Sequence, residues 1–114
     1  MQILTLQTEV QNRDGTALSR KAVVGAGEVV AVYRIPGGRS ITVDVEPGAG
    51  ATATVFTTLE SDLDTLLAGD ETSPWLREWP YGGAAAPQTH TFHGAAEAVV
   101  CHSVGGETVL RVRC

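Results

Sequence analysis

Residues 39–46 read Arg-Ser-Ile-Thr-Val-Asp-Val-Glu, and their alternation decides the class of fold. Ile41, Val43 and Val45 fall on one side of an extended chain; Thr42, Asp44 and Glu46 fall on the other. Such a strand has one dry face and one wet face. Pro47-Gly48-Ala49-Gly50 follows as a turn, and Ala51–Thr58 (ATATVFTT) resumes as a strand. Upstream, Glu28–Ile35 (EVVAVYRI) is rich in β-branched residues and stops at Pro36-Gly37-Gly38. Three consecutive strands with turns this short predict a meander.

The same reading extends in both directions. Ile3–Val10 alternates in part and ends before Asp14-Gly15, a strong turn dipeptide. Ala22–Val24 is a short strand meeting Gly25-Ala26-Gly27. After Thr58 the period changes: Leu59, Leu63, Leu66 and Leu67 share one helical face. Ser61 is the expected N-cap, Asp62 and Asp64 suit the first turn, and Gly69 is the expected C′ residue. Trp75–Trp79 returns to strand, residues 80–87 form an irregular connection, and Gln88–His93 is a further strand. Residues 96–103 and 107–113 read as a terminal hairpin around Gly105-Gly106.

Composition agrees with this pattern. The chain has 114 residues, a one-domain length. Val, Ile and Thr total 30 residues, the types that suit a pleated surface. The expected fold is therefore all-β: an antiparallel β-sandwich or jelly-roll-like barrel of about eight strands with one short helical insert. It is read as one domain over 1–114, with 1–20 an extended arm or edge strand. The net charge of −5 disfavours nucleic acid and anionic membranes as partners. No run reaches the roughly 18 apolar residues of a membrane span. The N-terminus lacks the basic and apolar regions of a signal peptide, so folding in a cytoplasm with reduced thiols is expected.

The chemistry-bearing residues do not assemble into a recognisable active site. In the expected hairpin, Cys101 lies opposite Leu110 and Cys114 opposite about Glu97, roughly 13 Å apart along the ladder. A disulfide needs Cα atoms within about 7 Å, so none is expected. His90 and His93 have odd strand spacing and point to opposite faces; His102 stands apart. Asp62, Asp64, Asp70 and Glu71 lack the spacing and central glycine of a calcium loop. The glycine-rich turns join strand to strand, whereas a phosphate loop feeds a helix. No catalytic, cofactor or metal site is expected. Trp75, Trp79 and Tyr81 permit an aromatic platform for sugar, or else plug the core. The hairpin face carrying Ala98, Val100 and His102 beside Val109, Arg111 and Arg113 is mixed, suiting either a subunit contact or an ordinary outer face.

One set of features carries a resemblance. In order, these are the strand 39–46, the small-residue strand from Ala49 to Val55, the Leu/Ala segment ending Ala68-Gly69, the strand ending Trp79-Pro80, a small-residue loop, Thr89–His93, and the terminal strands about Gly105-Gly106. This resembles small virion structural proteins of tailed bacteriophages, of the capsid decoration or cement type. The resemblance spans roughly residues 39–113; the N-terminal third departs from it. It implies a non-enzymatic sandwich or jelly-roll domain that binds the outside of the head shell and stabilises it. The implied partners are the major capsid protein and further copies of the chain, and the implied location is the capsid surface after synthesis in the host cytoplasm. The family lends no site residues. Candidate contacts read from this chain are Ile3, Leu4 and Leu6 in the N-terminal segment, Tyr81 beside the loop Gly82–Pro87, and Arg111 and Arg113. The alternatives are another virion module (tail, neck or fibre) and a carbohydrate-binding sandwich.

Overall fold

A computed structural model of the chain describes residues 5–7, 19–33, 40–60, 62–69, 73–93 and 96–113. Among them are nine strands and one helix: β1 (Thr5–Gln7), β2 (Ser19–Val24), β3 (Val29–Tyr33), β4 (Ile41–Pro47), β5 (Thr52–Thr58), α1 (Leu63–Leu67), β6 (Leu76–Glu78), β7 (Gln88–Phe92), β8 (Ala98–Val104) and β9 (Thr108–Arg113). They form two sheets. The first has the order β1-β3-β8-β5-β6 and the second β2-β9-β4-β7. All pairings are antiparallel except β1 on β3, which is parallel.

The pairings have a simple generating rule. β2 pairs with β9, β3 with β8, β4 with β7 and β5 with β6. The chain is thus an antiparallel ribbon doubled back at the β5–β6 connection, which contains α1. Rolling that ribbon brings β9 beside β4 and β8 beside β5. Eight strands in two four-stranded layers with this connectivity make a jelly roll. β1 adds a fifth strand at the edge of the first sheet.

This corrects the expected meander. β3, β4 and β5 are consecutive in sequence but alternate between the two sheets. The expected terminal hairpin is corrected in the same way: β8 belongs to the first sheet and β9 to the second. Cys101 lies beside Val30 and Val55, while Leu110 lies beside Ala22 and Val45. The mixed face of Ala98, Val100 and His102 with Val109, Arg111 and Arg113 therefore does not exist. Alternation specifies which side of a strand is dry, and both layers of a sandwich share that requirement. It does not specify which strand is the neighbour.

Local chemistry at the corners explains the crossing. Gly50 (φ 76°) and Gly105 (φ 82°) turn the β4–β5 and β8–β9 crossings at one end of the sandwich. The corners touch: Gly48 N–H donates to the Glu107 carbonyl at 2.7 Å. A Cβ on Gly105 would sit 2.5 Å from the Gly50 carbonyl oxygen. Buried Ser103 donates through Oγ to the Gly106 carbonyl at 2.6 Å, and its Oγ is 2.8 Å from Thr108 Oγ1. A carbonyl only accepts, so the Ser103 proton goes there and Thr108 donates to Ser103. The β2–β3 corner joins this end through Gly27 N–H to the Ser103 carbonyl, 2.8 Å.

The core fills the space between layers. Val30, Val32, Val55, Val99 and Cys101 of the first sheet meet Val24, Ile41, Val43, Val45, Leu110 and Val112 of the second. Each valine so buried contributes about 2 kcal/mol. A second apolar cluster lies on the other side of the first sheet: Val29, Ala31, Phe56, Leu76 and Val100, with Trp75 packed against it. β3 from Val29 to Val32 and β8 from Ala98 to Cys101 are consequently buried on both faces.

The helix forms close to where its periodicity placed it, with a different cap. Asp62 is the N-cap, accepting from Thr65 N–H at 3.1 Å and Thr65 Oγ1 at 2.6 Å. Ser61, the expected cap, lies outside the described residues. Leu59 precedes the helix and is 73% exposed, whereas Leu66 is fully buried. Gly69 follows the Ala68 C-cap. Its role is steric: a Cβ there would lie 2.4 Å from the Trp75 ring.

Candidate functional site

The second sheet shows a wet outer face. Thr42, Asp44 and Glu46 of β4 share it with Arg111 and Arg113 of β9, Lys21 and Val23 of β2, and Thr89 and Thr91 of β7. Arg111 bridges two carboxylates of the neighbouring strand. Its Nη1 is 3.1 Å from Asp44 Oδ2 and also bonds Glu46 Oε1. The hydrogen bonds it donates to Glu46 first, and to Asp44 second, push its pKa above the ordinary arginine value. Thr89 Oγ1 donates to Asp44 Oδ1 at 2.7 Å, extending the network to β7. Thr42 and Thr91 bond side by side at 3.0 Å. Arg111, a candidate partner contact, is thus engaged within its own sheet. Arg113 lies level with Thr42 and Ser19 and is exposed.

At the edge of the sandwich four rings form a chain whose ends, Trp79 and Phe92, pack against the core. Trp79 is 2% exposed and its indole N–H donates to the Gly82 carbonyl at 2.7 Å. Tyr81 stands edge-on to Trp79, centroids 5.4 Å apart, and edge-on to His90 at the same distance. His90 stands edge-on to Phe92 at 4.6 Å. Such edge-to-face pairs hold rings in fixed orientation. The loop after Tyr81 is anchored too: Ala84 and Ala53 exchange backbone hydrogen bonds of 2.7 and 2.9 Å. Tyr81, 48% exposed, is therefore a rigidly presented aromatic at a loop tip. This arrangement had a signal in the sequence. His90 and Phe92 of β7 are two apart, the spacing that places extended residues on one side, whereas Tyr81 reaches the stack from the turn that follows β6.

The three-ring sugar platform does not form. Trp75 packs with the outer cluster of the first sheet, Trp79 with the inter-sheet core. Trp75 instead lines an open cavity of about 350 Å³ with Leu59, Glu60 and Arg77. The Arg77 guanidinium is tied back to the Leu76 carbonyl at 3.0 Å and to the Pro74 carbonyl.

The remaining candidates have structural partners. His93 Nδ1 and Ser40 Oγ are 3.1 Å apart, and His90 is held in the ring stack. Among the described residues no three His, Cys, Asp or Glu side chains gather to hold a metal. Asp62 is committed to its cap; Asp70 and Glu71 lie outside the described residues. Burial pushes the Cys101 thiol up to about 12, so it is neutral and unreactive at physiological pH. Ile3, Leu4 and Cys114 lie outside the described residues. Leu6 is the middle residue of β1, level with Ala31.

No protein-family model, curated protein or solved structure matches this chain.

Proposed function

We propose that this chain is a capsid decoration protein of a tailed bacteriophage, a non-enzymatic clamp that binds the major capsid protein on the outer surface of the head. The observation that carries this reading is the jelly-roll strand order of β2–β9, to which β4–β9 contribute six of the eight strands. Those six occupy the span on which the resemblance rests, and a jelly roll is the architecture the resemblance implies. Two further features suit the role. Corner glycines in backbone contact make one end of the domain short and stiff. The ring stack presents Tyr81 without conformational freedom to lose on binding.

The work of such a protein is adhesion. A single contact of millimolar strength supplies only about 4 kcal/mol. Several held by one assembly act together through effective concentration, so weak contacts at Tyr81 and Arg113 suffice once copies lie on a lattice. A shell gripped this way resists opening because the clamp binds the closed arrangement alone.

The experiment is cosedimentation of the purified chain with undecorated head shells. Saturable binding, at a fixed ratio to the major capsid protein and weakened by Tyr81→Ala, is expected. Absence of binding to shells at any maturation stage contradicts the reading. A glycan titration followed by tryptophan fluorescence tests the carbohydrate alternative, for which the Trp75 cavity is the candidate recess.

A further inference from the structure

We propose that the open cavity beside Trp75 binds a neutral pyranose, the sugar ring lying on the indole with its hydroxyl groups bonded to Arg77 and Glu60. The inference goes beyond the capsid reading and does not depend on it. One chain can do both, because Tyr81 and Arg113, the contacts proposed for the shell, are not among the residues that line this recess.

A single ladder assembles the site. Leu59 and Glu60 follow β5 directly, Trp75 precedes β6 directly, and Arg77 is the middle residue of β6. The pairs Thr58↔Leu76 and Thr57↔Arg77 bring these two segments side by side, so that Leu59, Glu60, Trp75 and Arg77 line one recess of about 350 Å³. Recesses of that size take small ligands.

Three of these residues are held before any ligand arrives. The Trp75 ring packs on the outer cluster of the first sheet and over Gly69, where a Cβ would lie 2.6 Å from the indole Cζ2. Nη1 of Arg77 donates to the carbonyls of Pro74 and Leu76, which fixes the plane of the guanidinium. Among the described residues its Nε and Nη2 have no acceptor, so their N–H groups remain for a ligand. The Glu60 backbone N–H donates to Thr58 Oγ1 at 2.9 Å. A site ordered in advance loses less freedom on binding.

The lining selects the class of ligand. Trp75 and Leu59 supply an apolar wall, and Leu59, 73% exposed, gains cover when a ring is seated on it. Glu60 and Arg77 bring one charge of each sign. An anion meets the Glu60 carboxylate and a cation meets the Arg77 guanidinium, so neither is favoured. A guanidinium only donates hydrogen bonds and a carboxylate only accepts them, whereas a hydroxyl does both. A pyranose satisfies all three demands: its C–H face covers the indole, one hydroxyl accepts from Arg77, and a neighbouring hydroxyl donates to Glu60.

The test is a nuclear magnetic resonance titration of the full chain with the methyl glycosides of glucose, galactose, mannose and N-acetylglucosamine. The chain has two tryptophans, so its indole N–H resonances report separately on the recess and on the buried Trp79. A saturable shift at Trp75 is expected with at least one sugar, at a Kd of about 1 mM, while Trp79 stays fixed. Glu60→Gln and Arg77→Met should each weaken that binding by about tenfold or more. A Trp75 resonance unmoved by every sugar at about 100 mM overturns the proposal. So does a shift produced by sodium acetate and not by the sugars, which marks an anion site, or a Glu60→Gln and an Arg77→Met chain that both bind as the wild type does. The wild-type titration needs no variant, so a variant that fails to fold leaves the proposal open to refutation.

Discussion

The two sheets of this jelly roll solve different problems with the same strand chemistry. The second sheet is dry on one side, and β4 alternates buried Ile41, Val43 and Val45 with more exposed Thr42, Asp44 and Glu46. Its wet side is held by an arginine bridging two carboxylates. The first sheet is dry on both sides at its centre, where Val29–Val32 run beside Ala98–Cys101. Their sequences, VVAV and AVVC, are unbroken apolar runs. The comparison teaches that an interrupted pattern marks a layer facing solvent, while a continuous one marks a layer with material on each side.

The sharpest way to break that comparison is a matched pair of charges. Val100→Asp places a carboxylate in the outer cluster of the first sheet, among Val29, Ala31, Phe56 and Leu76. The cost is several kcal/mol, enough to unfold a domain of ordinary stability. Val23→Asp, on the outer face of the second sheet and half exposed, should shift stability by about 0.5 kcal/mol or less. Urea unfolding of both variants checks this. Equal effects would mean the outer cluster of the first sheet is not dry.

The next effect concerns how the sheets are joined. Gly105→Ala forces a side chain into a positive-φ corner and against the Gly50 carbonyl. We expect a loss of about 3 kcal/mol, from backbone strain and displacement of the neighbouring corner. Gly27→Ala has positive φ but open space around it. It should lose only about 1 kcal/mol. The difference between their denaturation midpoints isolates the corner contact.

An effect confined to alkaline pH reports the dryness of the inter-sheet core. Cys101 has its pKa raised in the folded state to about 12 from an unfolded value of 9.0. The folded thiol therefore holds its proton where the unfolded thiol has lost it. Stability is intact below pH 9 and falls between pH 9 and 12, by about 1.4 kcal/mol per unit from this group. Cys101→Ala should show a shallower decline over the same range, measured by urea midpoints against pH. The smallest effect is expected at Arg111. Arg111→Met should lower stability slightly and reduce its sensitivity to salt, since the bridge it removes is exposed and screened.

The sequence made the strands legible and their partners illegible. The alternation at Ile41–Val45, the turn at Gly48–Gly50 and the helix around Leu66 all stand where the residues placed them. The meander and the terminal hairpin failed for one reason: a short glycine-containing corner, four residues at 48–51 and three at 105–107, serves a hairpin and a sheet-to-sheet crossing alike. What separates them is contact with a distant corner, as between Gly105 and Gly50, and that proximity exists only in three dimensions. The site was legible in part. Tyr81 could be singled out as an exposed aromatic beside a small-residue loop, but its support by Trp79 and His90 joins segments from both sheets. Arg111 read as free for a partner because its acids, Asp44 and Glu46, lie 65 or more positions away in the chain.

The central claim is that this jelly roll coats a phage head, and copy number tests it most directly. The measurement is the amount of this chain across a density gradient of infected-cell lysate, calibrated per particle against the major capsid protein. The account predicts co-migration with filled heads at hundreds of copies per particle. Recovery of the chain wholly as free protein at the top of the gradient would contradict it.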